Sequence, residues 1–191
     1  MNRHSVLLAS VLALSSLSLS ACTDDDGWVS LIDGDLDQWH IVGDPNWRIE
    51  DGMAVADGGT GHLMSNESYE DFELIAEFWV DEPANSGLFL RCDDPAMPGA
   101  DSCYEVNIYD TREDPTYGTG AIVNVSPIEN MPKAGGQWNT YEIRVEGDHL
   151  AVTLNGEVTA DVHDSLHPAG PFTLQYAAGV VKFRRVDIRP L

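Results

Sequence analysis

Short runs in which apolar and polar residues alternate recur along most of the chain. The clearest are WRIED at 47–51, FELIAEFWV at 72–80, GLFLR at 87–91, YEVNIY at 104–109, AIVNV at 121–125, YEIRV at 141–145, LAVTL at 150–154, FTLQY at 172–176 and VVKFRRVDI at 180–188. Because neighbouring side chains of a β-strand point to opposite faces, such alternation predicts strands with one buried face. Turn residues separate the runs, and no stretch keeps a helical period. The pattern predicts one all-β domain, an antiparallel β-sandwich.

The best single hairpin signal is Asn155-Gly156, which stands between two alternating runs. This dipeptide suits the type I′ turn, whose twist matches that of the flanking strands. The tripeptide EGD at 146–148 is a second turn signal just before it. Residues 141–162 are therefore predicted to form an antiparallel meander.

The start of the chain has a different pattern, with a short basic beginning and an apolar run over residues 6–19. That run is shorter than the ~20 residues that a helix needs to span a bilayer. It is followed by LSAC at 19–22, which fits the lipobox at which bacterial lipoproteins are cleaved and lipidated. We predict a lipoprotein signal peptide over 1–21, a lipidated Cys22 with a spacer over 22–27, and one domain over 28–191.

The chain is strongly acidic, with 32 acidic and 10 basic residues and a net charge of −22. Such a charge repels nucleic acid and anionic lipid headgroups, so neither is an expected partner. Attachment to a bacterial membrane is then expected through the acyl chains on Cys22. The predicted location is the cell envelope, on the outer membrane or its periplasmic face.

Cys92 and Cys103 remain as an even pair once Cys22 is lipidated. In an oxidising compartment such a pair predicts a disulfide, here closing the loop DDPAMPGADS, which contributes about 2–3 kcal/mol in the chain-entropy model. A metal pair is the alternative, although two cysteines without a neighbouring histidine make a poor zinc site. Strict alternation puts the two cysteines on opposite faces, so the disulfide requires the strand ends to twist.

Two of the predicted strands, within residues 86–110, carry polar groups at alternate positions. If these strands pair, one face is aliphatic, with Leu88, Leu90, Val106 and Ile108. The opposite face presents Phe89, Arg91, Glu105, Asn107 and Tyr109. Aromatic rings and planar hydrogen-bonding groups on one face are what a sugar site needs. The other interpretation is a solvated outer face with an arginine–glutamate pair worth less than about 1 kcal/mol.

A series of short motifs then appears in a fixed order along the chain. They are GWVSLIDG at 27–34, WRIEDG at 47–52, YEDFELIAEFWV at 69–80, NSGLFLR at 85–91, YEVNIYD at 104–110, TGAI at 119–122, GQWNTYEIRVEG at 136–147, LNGE at 154–157, GPFTLQ at 170–175 and KFRRVDI at 182–188. Together they resemble the 3-keto-disaccharide hydrolase domain family, formerly a domain of unknown function, over nearly all of residues 27–191. The resemblance implies a concanavalin A-like jelly roll with a concave sheet that can bind a ligand.

The resemblance also implies cleavage of glycosides already oxidised to a ketone at sugar carbon 3. The ketone acidifies the hydrogen on C2, a base removes that proton, and the enolate expels the C1 oxygen to leave an enone that water can add to. Glu105 is predicted to be the base, because it is the sole carboxylate on the polar face. Arg91 is predicted to stabilise the enolate charge, with Asn107 as a neutral donor.

Further contacts to an oligosaccharide or keto-glycoside are predicted from four residues. Phe89 and Tyr109 would contact the sugar ring, and Gln175 would reach it from another strand. Asp110 lies one position out of phase with the polar face and is kept as a candidate. A bound divalent cation could share the Lewis-acid role, but no ligand cluster stands out and the cofactor stays unassigned.

The chain departs from the usual pattern of the family at three positions. Asn107 stands where glutamine is common, Val123 replaces a common aromatic residue, and Ala177 replaces a histidine that often follows the LQ pair. These changes leave the fold prediction intact and bear on the reaction. His163 and His167 do not replace the lost histidine, because the residues around them indicate a loop rather than a metal-binding helix face.

Three other functions stay open at this stage. The first is a sugar-binding module that keeps the concave face without catalysis. The second is a laminarinase-type glycosidase, in which Glu105, Asn107 and Asp110 take the three acidic places and a β-bulge brings Asp110 onto the face. The third is a purely structural envelope protein, which would have no affinity for sugar.

Overall fold

A computed structural model describes residues 26–191 of the protein, so the predicted signal peptide, Cys22 and most of the spacer lie outside the described residues. The described chain forms two antiparallel sheets and almost no helix, which confirms the predicted all-β sandwich of the jelly-roll type. Within residues 26–191 no helix is long and apolar enough to cross a membrane.

The domain contains a series of short and long strands joined mainly by turns. In chain order they are β1 (Val29–Ser30), β2 (Trp39–Gly43), β3 (Arg48–Glu50), β4 (Met53–Ala56), β5 (Gly61–Ser65), β6 (Phe72–Val80), β7 (Asn85–Leu90), β8 (Tyr104–Ile108), β9 (Trp138–Glu146), β10 (His149–Leu154), β11 (Glu157–His163), β12 (Thr173–Ala178) and β13 (Val181–Pro190). A short 3-10 helix, Pro115–Tyr117, lies in the long connection between β8 and β9.

The two sheets differ in size and in how their outer faces are used. The larger sheet has the order β11-β10-β9-β6-β13-β4-β3, with β1 paired to β13, and the smaller has the order β2-β5-β12-β7-β8. The larger sheet exposes many ion pairs on its outer side, such as Arg144 with Glu73 and Arg48 with Asp57. The smaller sheet instead buries polar groups on its outer side, which makes it the sheet to search for a site.

The core lies between the sheets and follows the alternation of the sequence. On β6 every second side chain is buried, from Phe72 to Val80, and the residues between them are partly exposed. Phe78 stacks on Tyr141 of the neighbouring strand, with ring centroids 5.1 Å apart. Aromatic pairs of this kind add about 0.5–1.5 kcal/mol to the burial of their area.

The predicted meander is confirmed by β9, β10 and β11, which are consecutive neighbours in the larger sheet. Asn155 and Gly156 both have positive φ, 53° and 84°, as a type I′ turn requires. Asn155 also accepts a hydrogen bond from Thr140 N at its Oδ1, over 2.9 Å. The turn therefore fixes the register of the hairpin and braces it against β9.

Replacing Gly156 with alanine is expected to lower the free energy of unfolding by about 1 kcal/mol, because the left-handed backbone disfavours a Cβ. No atom lies within 4 Å of the added Cβ, so the loss would come from backbone conformation alone. The matched control is Gly99→Ala, which also adds a methyl group in open space but at a φ outside the left-handed region. Urea denaturation of both variants tests this, and equal midpoints would contradict the argument.

Candidate functional site

Strands β7 and β8 pair as the alternation predicts. Phe89 lies opposite Glu105, and Gly87 lies opposite Asn107. Leu88, opposite Val106, belongs to the core between the sheets. Phe89, Glu105 and Asn107 therefore lie on the other side of the smaller sheet, here called the outer face.

The register extends this outer face across all five strands of the smaller sheet. One row contains Val42, His62, Gln175, Gly87 and Asn107. The adjacent row contains His40, Met64, Thr173, Phe89 and Glu105. Gln175, which was predicted to contribute from another strand, thus shares a row with Asn107. Gly87 lies between the two residues and has no side chain.

The predicted disulfide between Cys92 and Cys103 is confirmed. Strict alternation was wrong about the face of Cys92, because Arg91 adopts a φ of 51° and interrupts the alternation directly before it. Cys92 and Cys103 form a small buried cluster with Phe89, apart from the main core. The disulfide therefore lies on the outer face and holds the loop 93–102 beside β8.

The same turn makes the prediction for Arg91 wrong. Its side chain is 1% exposed and points to the edge of the sandwich instead of sharing the outer face with Phe89. The guanidinium donates to Glu70 O over 2.5 Å, to Gly147 O over 2.7 Å and to Asp71 Oδ1 over 2.9 Å. Because its donors have structural partners, Arg91 cannot serve as the group that binds an enolate next to Glu105.

Glu105 opens into a cleft of about 700 Å³ on the outer face. The disulfide-closed loop supplies most of the lining, and Arg112, Val123 and Asn124 complete it. Glu105 is 9% exposed, and its carboxylate forms no hydrogen bond with any other residue in 26–191. Burial raises its pKa from 4.5 to about 7, and the positive charge of Arg112 opposes part of that rise. A carboxylate with a pKa near neutrality can accept and return a proton.

Two amide oxygens on the outer face lack hydrogen-bond partners although both are buried. Asn107 donates from Nδ2 to Tyr117 O over 2.7 Å, which fixes its orientation and leaves Oδ1 without a partner. Gln175 Oε1 is likewise unpartnered. A buried acceptor without a donor costs about 1–3 kcal/mol. Both oxygens are closed to solvent and neither residue lines the cleft of Glu105, so the predicted contacts of Asn107 and Gln175 with a sugar have no support in this geometry.

The structure gives Asp110 a structural role rather than the predicted contact with substrate. Its carboxylate accepts hydrogen bonds from Thr119 Oγ1 over 2.6 Å and from the backbone N–H groups of Ala134 and Gly135, each over 2.9 Å. These bonds tie the end of β8 to the loop before β9. The laminarinase-type hypothesis, which needs Asp110 on the outer face as an acid, has no support in this geometry.

The two predicted aromatic contacts differ in accessibility. Phe89 is fully buried between the disulfide and the His62 ring, which is perpendicular to it with ring centroids 4.9 Å apart. Its ring is therefore covered on both faces and cannot contact a sugar. Tyr109, which follows β8, is half-buried and remains a candidate contact.

Sequence reasoning missed Arg112, His62 and the loop 93–102 as parts of the outer face. Arg112 lies in an irregular segment, where alternation predicts no direction for a side chain. His62 is opposite Gln175 in the register and bonds through Nδ1 to Thr173 Oγ1 over 2.8 Å. Burial lowers the pKa of His62 to about 4, so its ring is neutral at pH 7.

No metal centre emerges from the described part of the chain. Among residues 26–191 no group of three or more His, Cys, Asp or Glu side chains is arranged to hold a metal ion. His163 stacks on His149 and contacts Asp148, whereas His167 is buried and contacts Asp93. The loop prediction is wrong for His163, which ends β11, and right for His167. The two histidines belong to different clusters, and we derive no step that uses a metal.

The family model for the 3-keto-alpha-glucoside-1,2-lyase-like domain matches residues 27–189. A curated relative from Bacteroides thetaiotaomicron, named 3-keto-disaccharide hydrolase, is 24% identical over 179 residues, a match that covers 76% of this chain. The chain spans 62% of the length of that relative.

Solved structures show the same fold at low sequence identity. Two crystal structures of proteins from Parabacteroides distasonis, each described as a candidate glycosyl hydrolase, are 18% and 24% identical to this chain in sequence. Their TM-scores are 0.77 and 0.74. Each match covers 86% of this chain, and 94% and 99% of the respective structures. The carbohydrate-binding module CBM66 from Bacillus subtilis is 17% identical with a TM-score of 0.58, over 85% of this chain and 95% of the module.

The buried state of Glu105 predicts how stability changes with pH. The folded protein keeps the Glu105 proton up to about pH 7, whereas the unfolded chain releases it near 4.5, so this group lowers stability as the pH rises between those values. Glu105→Gln cannot ionise and should lack that component, so its stability relative to the wild type should rise by up to about 3 kcal/mol between pH 4 and pH 8. Urea denaturation at both pH values measures the difference, and a pH-independent difference would contradict the buried, raised-pKa state.

Asp110→Asn is expected to lower the free energy of unfolding by about 2 kcal/mol, because three donors lose a charged acceptor. The control is Asp101→Asn, an exposed carboxylate on the disulfide-closed loop, which should stay within about 0.5 kcal/mol of the wild type. Thermal or urea unfolding provides the measurement. Unchanged stability of Asp110→Asn together with weaker sugar binding would restore the substrate role that the sequence predicts.

Proposed function

The chain belongs to the 3-keto-alpha-glucoside-1,2-lyase-like domain family, and from this premise we propose that it cleaves glycosides carrying a ketone at sugar carbon 3. The observation that carries the proposal is Glu105, a buried carboxylate that opens into a cleft and has a pKa raised to about 7. The family and the named relative support a glycoside-cleaving role. The steps below are our proposal for how this site performs it.

Glu105 would begin the reaction by taking the proton from C2 of the keto-sugar. The electrons of the C2–H bond form the C2–C3 double bond of an enolate, and the ketone oxygen becomes negative. When the C3 carbonyl re-forms, a double bond forms between C1 and C2 and the bond from C1 to the glycosidic oxygen breaks. Protonated Glu105 can return its proton to that leaving oxygen, and water can then add to the enone.

The rest of the outer face would orient the sugar. Asn107 and Gln175 share this face but lie outside the cleft lining, so Asp94, Asp101 and Asn124 are among the polar side chains that a bound sugar would meet besides Glu105 and Arg112. The loop 93–102, held by the disulfide, would form the wall of the cleft. Ala177 adds no proton carrier at the end of β12, and neutral His62 cannot donate a proton as an imidazolium, so Glu105 carries the proton chemistry in this proposal.

A non-catalytic sugar-binding module is the second candidate, because the same cleft could hold a sugar without cleaving it. Both functions predict sugar binding at this face. Only the enzyme depends on the C3 ketone and on an ionisable group at position 105.

The proposed setting is the bacterial cell envelope, with the domain carried by acyl chains on Cys22. This proposal rests on the LSAC motif at 19–22 and on a surface charge that gives anionic lipids no attraction. A Cys22→Ser variant that still partitioned with the membrane would argue against it.

Glu105→Gln is expected to lower kcat at least 10²-fold on a 3-keto-disaccharide while binding persists, because a positioned base contributes about 10²- to 10⁴-fold. The wild-type kcat/KM should rise about tenfold per pH unit below pH 7 and level off above it, since the base must be ionised. Free sugar release is followed for the keto-disaccharide and for its unoxidised parent. Glu142→Gln, an exposed carboxylate on the larger sheet, is the control and should retain full activity.

The outcomes separate the candidate functions. Cleavage of the keto-sugar alone, lost in Glu105→Gln, supports the enzyme. Binding without turnover supports the sugar-binding module. Cleavage of the unoxidised parent would contradict both, and an absence of sugar binding would leave a structural role.

A further inference from the structure

Arg112 differs from the other arginines that the structure describes. Each of the others forms at least one salt bridge, namely Arg48, Arg91, Arg144, Arg184, Arg185 and Arg189. Within residues 26–191 Arg112 forms neither a salt bridge nor a side-chain hydrogen bond. In a chain with 32 acidic and 10 basic residues, carboxylate partners are abundant. Arg112 is partly buried and has no such partner, so its position needs an explanation.

The position of Arg112 suggests the explanation. It lines the same cleft as Glu105, and its charge opposes the rise in the pKa of that carboxyl. The two groups nevertheless lie farther apart than the 4.0 Å of a salt bridge. A base and a cation that share one cleft without contact leave room for a substrate group between them. Asp94 and Asp101 are the other charged residues that line the cleft.

No other described cation is placed to do the same. Arg91 is held at the edge of the sandwich by Glu70, Asp71 and Gly147. Lys133 donates to Asp110 O over 2.5 Å, and Lys182 lies over the ring of Trp79 on the larger sheet. The positive charge available to the cleft in residues 26–191 is therefore that of Arg112.

We propose that Arg112 binds the C3 oxygen of the keto-sugar and stabilises the negative charge that this oxygen acquires when Glu105 removes the C2 proton. The proposal rests on the function proposed above and assigns to Arg112 the role that the sequence predicted for Arg91. A guanidinium offers several N–H donors in one plane, which suits an enolate oxygen. It keeps its proton throughout, so the C2 proton goes to Glu105 and the charge of the site changes only on substrate and base.

The separation of Glu105 and Arg112 also affects the strength of the base. A direct ion pair would lower the pKa of Glu105 and weaken it as a base at neutral pH. Separation keeps the carboxyl basic while the cation stays near the oxygen on which charge develops. Charge that is stabilised only in the transition state raises kcat more than it lowers KM.

The test compares Arg112→Ala and Arg112→Lys with Arg48→Ala, which removes an exposed arginine at the edge of the larger sheet. Two substrates separate the steps. A 3-keto-α-glucoside of 4-nitrophenol reports cleavage by its colour, and 3-keto-1,5-anhydroglucitol, which lacks a leaving group at C1, reports proton removal by deuterium exchange at C2 in D₂O. Loss of one such donor typically lowers the rate about 10²- to 10³-fold.

We expect Arg112→Ala to lower kcat for cleavage and the rate of C2 exchange in parallel by about 10²-fold or more, with KM changed less than tenfold. Arg112→Lys should recover part of both rates, and Arg48→Ala should match the wild type. The residual kcat/KM of Arg112→Ala should rise with pH at a higher midpoint than in the wild type, because Arg112 no longer opposes the rise in the Glu105 pKa. That shift follows from the loss of the charge alone, so the parallel fall of cleavage and C2 exchange is the result that assigns Arg112 to the enolate.

Three results would overturn the inference. If Arg112→Ala exchanges and cleaves like the wild type while Glu105→Gln is inactive, Arg112 has no role and the proposed function stands. If cleavage falls and exchange does not, Arg112 acts on the leaving group and not on the enolate. If the wild type neither cleaves nor exchanges, the proposed function fails and this inference fails with it.

Discussion

The buried guanidinium of Arg91 connects the two sheets at the edge where the candidate site is built. Arg91 follows β7 of the smaller sheet, and its donors reach Glu70 and Asp71 before β6 and Gly147 after β9, all in or beside the larger sheet. Removing the acceptors of such a buried guanidinium leaves its charge unpaired and is strongly destabilising. Its left-handed backbone also turns Cys92 towards Cys103, so one residue both closes the sandwich and directs the disulfide.

The cleft depends on that arrangement in a direct sequence of contacts. The disulfide holds the loop 93–102 beside β8, and the loop forms the wall of the cleft into which the buried Glu105 opens. Burial of Glu105 raises the pKa of its carboxyl, and this gives it the basicity that proton abstraction needs. The chain has 32 acidic residues, and burial with a raised pKa distinguishes Glu105 from the exposed ones.

Several features of the site could be predicted from the sequence because they follow from alternation within single strands. The pairing of β7 with β8 and the shared face of Phe89, Glu105 and Asn107 are of this kind. Alternation failed at Arg91, where one positive φ reversed the direction of the side chain, and it did not apply to Arg112, which lies in an irregular segment. Asp110 was misassigned because its donors come from residues 119, 134 and 135, a contact that no local pattern indicates.

By itself the sequence determined the all-β sandwich and the hairpin at Asn155-Gly156, because period-two burial and turn chemistry are local properties of the chain. The pairing of Cys92 with Cys103 followed only with the added expectation that Cys22 is lipidated. Only the tertiary structure decided which charges meet. It enclosed Arg91 in the edge of the sandwich, bonded Asp110 to a distant loop and left Arg112 facing the cleft of Glu105. The reason is physical: the electrostatic environment of a side chain depends on burial and on groups far away in sequence, and neither is contained in the pattern of neighbouring residues.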